Sequence, residues 1–556
     1  METDKIVKFD SLPAFAQKQR VTKGGKFTAR AGTYFGGSST RRGVTGWQPP
    51  QGDADADTLT DRQSIVNRSR DLVRNTPIAT GAINTNALHI VGPGLTMQSR
   101  INRDILGLNE VEAAKRQNLI ESEWKLFSDN LDCSYNRKGT FNDTVNLVLR
   151  GALESGDIFS LLPFEMRNTS PYGLKIQLIE SDRICNRGDV SDTKELTSGV
   201  HFNKKGQPVA YDIRTTNPGT EKGFEREWAT VDAFTPQGRR RMLHIYEQLR
   251  PDQTRGMPYL APIIEIVKQL SKLTNAEIAA AVVNSYFTVF LKSSTGATEL
   301  SPYAMTEETN ASSSDQDYKL GMGAFITLAE DESVEFADPK RPNNNFDGFM
   351  QSMSRQMGAA LNLPYELLNY QFTSSYSASR SAMLLAWKMF KTRRTWLERH
   401  YCNIVYAAWF EEAVLRGRVP APGFLDDHSI RAAYLQNKWV GPAPGQIDPT
   451  KETTAALDRI GGRLSTIAEE SAAIGSDFDQ NIQQIAYEEN AMDALNVKHI
   501  GLGARGSTGA LIESAEINQK ANNQGAEGNN SDNDNDSDDD NDSDDENEDN
   551  KSTGDK

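Results

Sequence analysis

The 556-residue sequence lacks the features of membrane and disulfide-rich secreted proteins. Nowhere do about 18 apolar residues follow one another, and the N-terminus has no compact apolar core before a cleavage site. Cys133, Cys185 and Cys402 are an odd and widely spaced set, which argues against a disulfide framework and a zinc site. The composition therefore predicts a soluble protein, assembled in the cytoplasm, that has no contact with a membrane.

Motifs for catalysis are equally scarce. The six histidines lie far apart, and neither His-Glu-x-x-His nor Cys-x-x-Cys spacing occurs. The stretch Gly501–Gly506 matches G-x-G-x-x-G, but no predicted strand precedes it, so a βαβ nucleotide site is not expected there. No G-x-x-x-x-G-K-[ST] motif is present, which leaves no visible means of hydrolysing ATP. The sequence thus predicts no enzyme activity, cofactor or metal.

Charge is distributed unevenly between the two ends. The net charge is -15, but residues 521–556 hold fourteen acidic residues against two lysines, so the remainder is almost neutral. The first 46 residues are basic, with nine Lys or Arg against three acidic residues. The basic arm either pairs with an anionic partner or is a flexible leader, and the tail is expected to be solvated.

A helix, a proline break, a polar loop and a second helix follow one another after residue 345. Phe346, Phe349, Met353 and Met357 form one apolar stripe, and Pro364 stops that helix. A helical period returns at Ala378 and continues to residues 416–417, which predicts one continuous helix of roughly 55 Å. Earlier helices are expected from residue 61 to 92 with a break at Thr76-Pro77, at 110–127 and at 260–287. Later ones are expected at 450–474 and 477–498.

Short β-type runs occur at residues 158–162, 174–179 and 209–213. An alternating run at 325–336 and a short apolar one at 289–291 flank a polar stretch. Together with the helical patterns, these runs predict an α+β protein that is mainly α.

Several short blocks resemble, in order and spacing, those of the lambda-type portal protein family of tailed bacteriophages. They are NLPYELL at 362–368, YSASR at 376–380, ATGAI at 79–83, IESDR at 179–183, the segment 244–258, and WVGP at 439–442. The resemblance spans about residues 60–505.

The resemblance implies a division of the chain into the parts of a portal subunit. These are a flexible basic arm at 1–58, a wing at 59–258, a first stem helix at 259–291, a clip at 292–343, a second stem helix at 344–363, a channel loop at 364–380, a long wing helix with its connection at 381–446, crown helices at 447–505 and a disordered acidic tail at 506–556.

The family also implies a ring of twelve subunits that serves as the channel for double-stranded DNA at one vertex of the capsid. Its expected partners are a large terminase subunit that hydrolyses ATP, the major capsid and scaffold proteins, and head-tail connector proteins. A virion adaptor that forms no channel is the main alternative, and a subunit of a nucleic-acid-processing enzyme is a weaker one.

The resemblance places the channel loop against the DNA. Its hydrogen-bonding residues are Gln371, Ser374, Ser375, Tyr376 and Arg380, which could contact phosphates without reading sequence. An ordinary helix-helix connection is the alternative. Further along, the predicted long helix is basic over three turns through Lys388, Lys391, Arg393, Arg394 and Arg399. Those charges either form a solvated or subunit-facing surface or face the DNA.

Overall fold

A computed structural model describes residues 41–217, 227–285, 289–293, 332–336, 346–372, 375–445 and 449–495. The protein is mixed α/β and mostly helical. The basic residues before 41, the G-x-G-x-x-G match and the acidic tail lie outside the described residues. Among the described helices, no segment has both the length and the apolar character needed to cross a membrane.

Helices occur along most of the described chain. They are α1 Ala54–Asn75, α2 Pro77–Ile90, α3 Arg103–Leu106, α4 Glu110–Ser128, α5 Phe141–Ser155, α6 Ile264–Ser285, α7 Phe346–Leu361, α8 Tyr365–Asn369, α9 Tyr376–Leu397, α10 Asn403–Leu415, α11 His428–Tyr434, α12 Pro449–Gly461, α13 Ile467–Ala473 and α14 Phe478–Ala494.

Strands are short and pair antiparallel throughout the described sheets. They are β1 Thr96–Ser99, β2 Asp157–Leu161, β3 Gln177–Ile179, β4 Leu196–Thr197, β5 Val200–Phe202, β6 Pro208–Arg214, β7 Trp228–Asp232, β8 Met242–Tyr246, β9 Val289–Ser293, β10 Glu332–Phe336 and β11 Asn437–Val440. One sheet has the order β3-β2-β8 and another has the order β4-β5-β6-β7, while β1 pairs with β11 and β9 with β10.

The first helix begins earlier than the sequence pattern predicts. The side chain of Asp53 accepts a hydrogen bond from the Ala56 N–H at 2.7 Å, which caps α1 seven residues before the expected start at Asp61. Residues 54–58, assigned to the arm on sequence, therefore belong to a helix. The predicted break at Thr76-Pro77 is confirmed. Pro77 is the first residue of α2, a position at which a backbone N–H would have no partner within the helix, so proline loses no hydrogen bond there.

An aromatic cluster forms the centre of the main core. The ring of Trp124 on α4 lies 5.1 Å from Trp409 on α10, 5.0 Å from Phe141 on α5 and 5.8 Å from Trp439 on β11. All four side chains are buried. Burying each such ring contributes about 1.5–3 kcal/mol, so the cluster fixes α10 firmly to the rest of the subunit.

The long helix predicted from residue 378 to 416 is interrupted. Glu398–Cys402 form a π-helical turn between α9 and α10, and the Asn403 N–H donates to the Glu398 carbonyl five residues back. The extra residue in this turn lets α9 and α10 present different faces to the core. The expectation of one regular helix was wrong at this point.

The helix expected at 260–287 begins later than predicted. A 3₁₀ turn at Ala261–Ile263 precedes α6, which spans Ile264–Ser285 within the described residues. β9 then pairs with β10 in register from Val289 opposite Phe336 to Ser293 opposite Glu332. The other residues of the predicted clip lie outside the described residues.

Within the described residues 449–495, three helices occur where the sequence predicts two. The predicted helix at 450–474 is divided into α12 and α13, because Gly461 and Gly462 end the first of them. The chain divides into compact units at Gly475, and α14 belongs to the second. The side chain of Asp477 caps α14 by accepting from the N–H groups of Asp479 and Gln480.

Candidate nucleic-acid interface

The N-terminal side of the loop at 364–380 is held by hydrogen bonds. Tyr370 has a left-handed backbone with φ of 52°, and its hydroxyl lies 2.9 Å from the Thr85 hydroxyl on α2. The Tyr365 hydroxyl donates to the Gln371 side-chain oxygen at 2.6 Å. These two bonds fix where the chain leaves α8 and begins the loop.

Helix α7 is attached to the same region. The Tyr259 hydroxyl donates to the carbonyl of Leu361, the last residue of α7. The guanidinium of Arg355 lies 5.4 Å from the Tyr365 ring centre. A cavity of about 620 Å³ separates the end of α7 from α9, with Leu385 and Trp396 among its lining residues. Contacts of α7 and α8 therefore hold the start of the loop.

The predicted loop residues differ in their surroundings. Gln371 and Ser375 are exposed, while Ser374 and the side chain of Tyr376 lie outside the described residues. Arg380 is half-buried on the first turns of α9, where it lines a cavity of about 870 Å³ between α9 and helices α12 and α13. The structure thus puts Gln371 and Ser375 at the surface of the loop and Arg380 at a junction of helices.

The four basic candidates on α9 fall into two pairs. Lys388 and Lys391 are exposed. The guanidinium of Arg393 donates to the Asn86 side-chain oxygen at 2.5 Å and lies 4.5 Å from the Tyr259 ring centre. Contacts within the subunit therefore occupy Arg393, one of the residues predicted either to form a solvated or subunit-facing surface or to face the DNA.

Arg394 likewise binds inside the subunit. Its guanidinium donates to the carbonyl oxygens of Ile90 and His89 at 2.8 Å and to that of Pro442 at 2.9 Å. Ile90 ends α2, whose last carbonyls have no partner within the helix. A cation at a helix C-terminus also interacts favourably with the helix dipole. Burial lowers the pKa of Arg394. Arg394 therefore caps the C-terminus of α2, although it belongs to the group predicted either to form a solvated or subunit-facing surface or to face the DNA.

A buried charge cluster holds the wing-like part of the fold together. The Asp157 carboxylate, fully buried on β2, accepts from Arg255 Nε at 2.6 Å, Arg62 Nη2 at 2.7 Å and the Gly256 N–H at 3.3 Å. His244 on β8 contacts the same carboxylate through Nε2 at 3.1 Å. The cluster joins α1, β2, β8 and the segment before α6.

Electrostatics in this cluster follow from burial and paired charge. Burial alone would raise the pKa of Asp157, but Arg255 and Arg62 hold it well below its ordinary value. Burial also lowers the pKa of His244, against the opposing pull of Asp157. A buried, hydrogen-bonded carboxylate between two guanidiniums is a structural arrangement, because every charged partner is already satisfied.

Comparison with known proteins agrees with this architecture. Residues 40–394 match the sequence profile described as "Phage portal protein, lambda family". The chain belongs to the lambda family of phage portal proteins. This family consists of structural proteins of the virion, located at a capsid vertex.

Two relatives extend the similarity over most of the chain. Portal protein B of Escherichia phage lambda is 25% identical over 509 residues, which cover 87% of this chain and 94% of the relative. The portal protein of Escherichia phage N15 is 24% identical over 473 residues, which cover 82% and 89%.

Solved structures are more distant. A chain of the virion of native gene transfer agent (GTA) particle aligns with 14% identity and a TM-score of 0.37, covering 75% of this chain and 93% of that one. A chain of the neck of empty GTA particle computed with C6 symmetry aligns with 14% identity and a TM-score of 0.38, covering 78% and 97%.

The region that matches the portal family includes the loop at 364–380 and ends at Arg394, the helix cap. Sequence reasoning missed the Asp157 cluster, whose residues are spread from position 62 to 255. One signal was available, because Asp157 opens an apolar β-type run in which a charge is unexpected.

Proposed function

We propose that this portal protein assembles into a ring of about twelve subunits, a number implied by its family resemblance. The ring would form the channel through which double-stranded DNA enters and leaves the capsid. Membership of the portal family carries this proposal, and the matched region contains the loop at 364–380. Assembly would take place in the host cytoplasm, before the capsid is filled.

The loop is proposed as the part of each subunit that meets the DNA. Gln371 and Ser375 are exposed and uncharged, and the loop leaves α8 from a fixed starting point. Hydrogen bonds from such groups to phosphates carry no sequence information. Contacts without ion pairs also release few counterions, so they bind weakly and allow a duplex to slide.

Lys388 and Lys391 are proposed as additional channel-side charges. Both are exposed, whereas Arg393 and Arg394 are held by contacts within the subunit. Two lysines per subunit would add a modest, salt-dependent attraction for phosphate. This division predicts that, among Lys388, Lys391, Arg393 and Arg394, only the two lysines affect DNA.

The remaining parts are proposed to have the roles that the family resemblance implies. The β-rich sheets with the Asp157 cluster would form the wing, α6 and α7 the stem, the β9–β10 pair the clip, and α12 to α14 the crown. A separate terminase would hydrolyse ATP and dock at the clip, as would head-tail connector proteins. Capsid and scaffold proteins would surround the wing.

Substitutions in the loop test the channel assignment. Tyr376→Ala and Arg380→Ala, with Gln371→Ala as a third variant, should reduce packaged or retained DNA while rings still form. Lys205→Ala, at an exposed turn between β5 and β6, is the matched control. Rings that form with unchanged genome content in all three loop variants would contradict the role of the loop. They would favour an adaptor that forms no DNA channel.

A further inference from the structure

Three consecutive arginines lie on the turn between β7 and β8. Arg239, Arg240 and Arg241 are exposed. Backbone hydrogen bonds close this turn, with the Thr235 N–H donating to the Arg239 carbonyl at 2.7 Å and the Arg241 N–H to the Ala233 carbonyl at 2.9 Å. The arginines are thus carried by a hydrogen-bonded turn between two strands.

The turn contacts α10, the helix that follows the π-helical segment. Arg239 Nη2 donates to one carboxylate oxygen of Glu411 on α10 at 2.5 Å, and Arg431 Nη2 on α11 donates to the other at 3.0 Å. Burial would raise the pKa of Glu411, but the two guanidiniums lower it. The single negative charge of Glu411 is therefore paired with two arginines, so these three side chains together carry a net positive charge.

The π-helical segment adds further cations to the same surface. β8 packs against this segment. Arg399 is exposed on it, and His400 beside it is exposed as well. Burial, followed by the positive charges of Arg240 and Arg399, lowers the pKa of His400.

The turn and strand β8 contact the helix at two levels. Arg239 on the turn pairs with Glu411 on α10. Strand β8 packs against the π-helical segment that carries Arg399, twelve residues earlier in the chain. Glu398 on the same segment is half-buried, and burial raises the pKa of its carboxyl group.

We propose that Arg239, Arg240, Arg241, Arg399 and Arg431 form a second surface that binds the phosphate backbone of double-stranded DNA, distinct from the channel loop. We refer to it as the arginine surface. A guanidinium presents a planar fork that matches phosphate oxygens, and two of the five, Arg239 and Arg431, pair with the carboxylate of Glu411. The choice of DNA as the polyanion rests on the proposed function.

A regular duplex suits this surface better than an acidic protein does. All five residues are on a closed turn or on helical segments, so their backbone positions are set before binding, and a duplex offers phosphates at constant spacing. Binding would need no base contacts, as expected for a surface that meets any genome sequence. Such a surface would hold DNA in the head close to the portal, whereas the loop would let it pass.

Equilibrium DNA binding by the full-length protein tests this inference. The variant is Arg240→Ala, Arg241→Ala and Arg399→Ala combined, which leaves Arg239 and Arg431 in place to hold Glu411. The matched control combines Arg68→Ala, Lys204→Ala and Lys205→Ala, three exposed cations elsewhere on the subunit. Fluorescence anisotropy with a labelled 30-base-pair duplex, at roughly 50 to 200 mM salt, gives the slope of log K against log salt.

The slope should fall by about 0.9 for each phosphate contact removed, while the control keeps the wild-type slope. An equal fall in both proteins would mean that only net charge matters and would overturn the inference, as would an unchanged slope in the variant. Polyglutamate that displaces the duplex from wild-type protein at equal charge concentration would instead indicate an acidic protein partner. Normal rings together with an unchanged slope would defeat this inference and leave the proposed channel standing.

Discussion

The guanidinium of Arg394 donates to the carbonyl oxygen of Ile90 at 2.8 Å, where α2 ends. The same helix carries Thr85, whose hydroxyl contacts Tyr370 at the start of the loop. Both the chain entering the loop and the helix leaving it are therefore fixed to α2. The described residues on both sides of the loop are thus attached to one helix.

Removing this cap should destabilise the subunit. Arg394→Ala leaves three carbonyl groups without their charged donor, and a hydrogen bond to a charged group contributes about 1.5–3 kcal/mol. We expect a loss of about 2–3 kcal/mol in the free energy of unfolding, measured by urea denaturation at fixed protein concentration. Lys391→Ala, on the exposed side of α9, should change stability by less than about 0.5 kcal/mol. Similar values for the two variants would contradict the capping role.

Neutralising the buried carboxylate should have a larger effect. Asp157→Asn leaves Arg62 and Arg255 facing each other without a counter-charge, and breaking a buried ion pair costs about 3–5 kcal/mol. Thermal unfolding should show a clear drop in the midpoint. Asp104→Asn, on an exposed side chain of α3, is the control and should unfold like the wild type. A wild-type midpoint for Asp157→Asn would show that the cluster contributes no stability.

Stability should also fall in mild acid. The pKa of His244 is lowered below its ordinary value of 6.5, first by burial. Below about pH 6.5 the unfolded chain binds a proton that the folded protein does not, so the free energy of unfolding falls as the pH drops. The Asp157 contribution is lost only at lower pH, below about 4, where the unfolded carboxyl takes up its proton.

The variant His244→Gln separates this effect from other titrations. Glutamine retains a donor for Asp157 but cannot be protonated, so the loss of stability between pH 7 and 5 should become smaller. Some slope should remain, because burial also lowers the pKa values of His89 and His400. Unfolding midpoints measured across this range are the test, and an identical slope in variant and wild type would count against it.

Two glycines offer a matched test of backbone packing. A Cβ on Gly256 would lie 2.0 Å from the Gly156 carbonyl oxygen, whereas a Cβ on Gly81 within α2 would meet nothing within 4 Å. Gly256→Ala should therefore destabilise the subunit by about 1–3 kcal/mol or more. Gly81→Ala should be neutral or stabilise it by about 0.5–1 kcal/mol, since alanine favours a helix. The opposite order of stability would show that the contact between Gly156 and Gly256 is not tight.

Local signals were sufficient to predict much of the secondary structure. Pro77 and Pro364 mark helix boundaries that the structure confirms, because proline removes a donor and fixes φ. The early start of α1 was missed, since Asp53 is one of several acidic residues there and only the folded chain identifies it as the cap.

Long-range contacts could not be predicted in the same way. The π-helical turn at Glu398–Cys402 depends on how α9 and α10 pack, and helical periodicity alone does not record it. Five basic residues that occur together predict a solvated or subunit-facing surface or a DNA-facing one, yet Arg393 and Arg394 bind partners some 300 positions away in sequence. The membership of the portal family was predicted from short ordered blocks, and the comparisons confirm it.

Negative-stain electron microscopy of the purified full-length protein, with class averages viewed along the particle axis, tests the central proposal most directly. The account predicts rings of about twelve subunits around an open centre wide enough for a duplex. Particles with a closed centre, or rings too narrow to admit DNA, would contradict a channel.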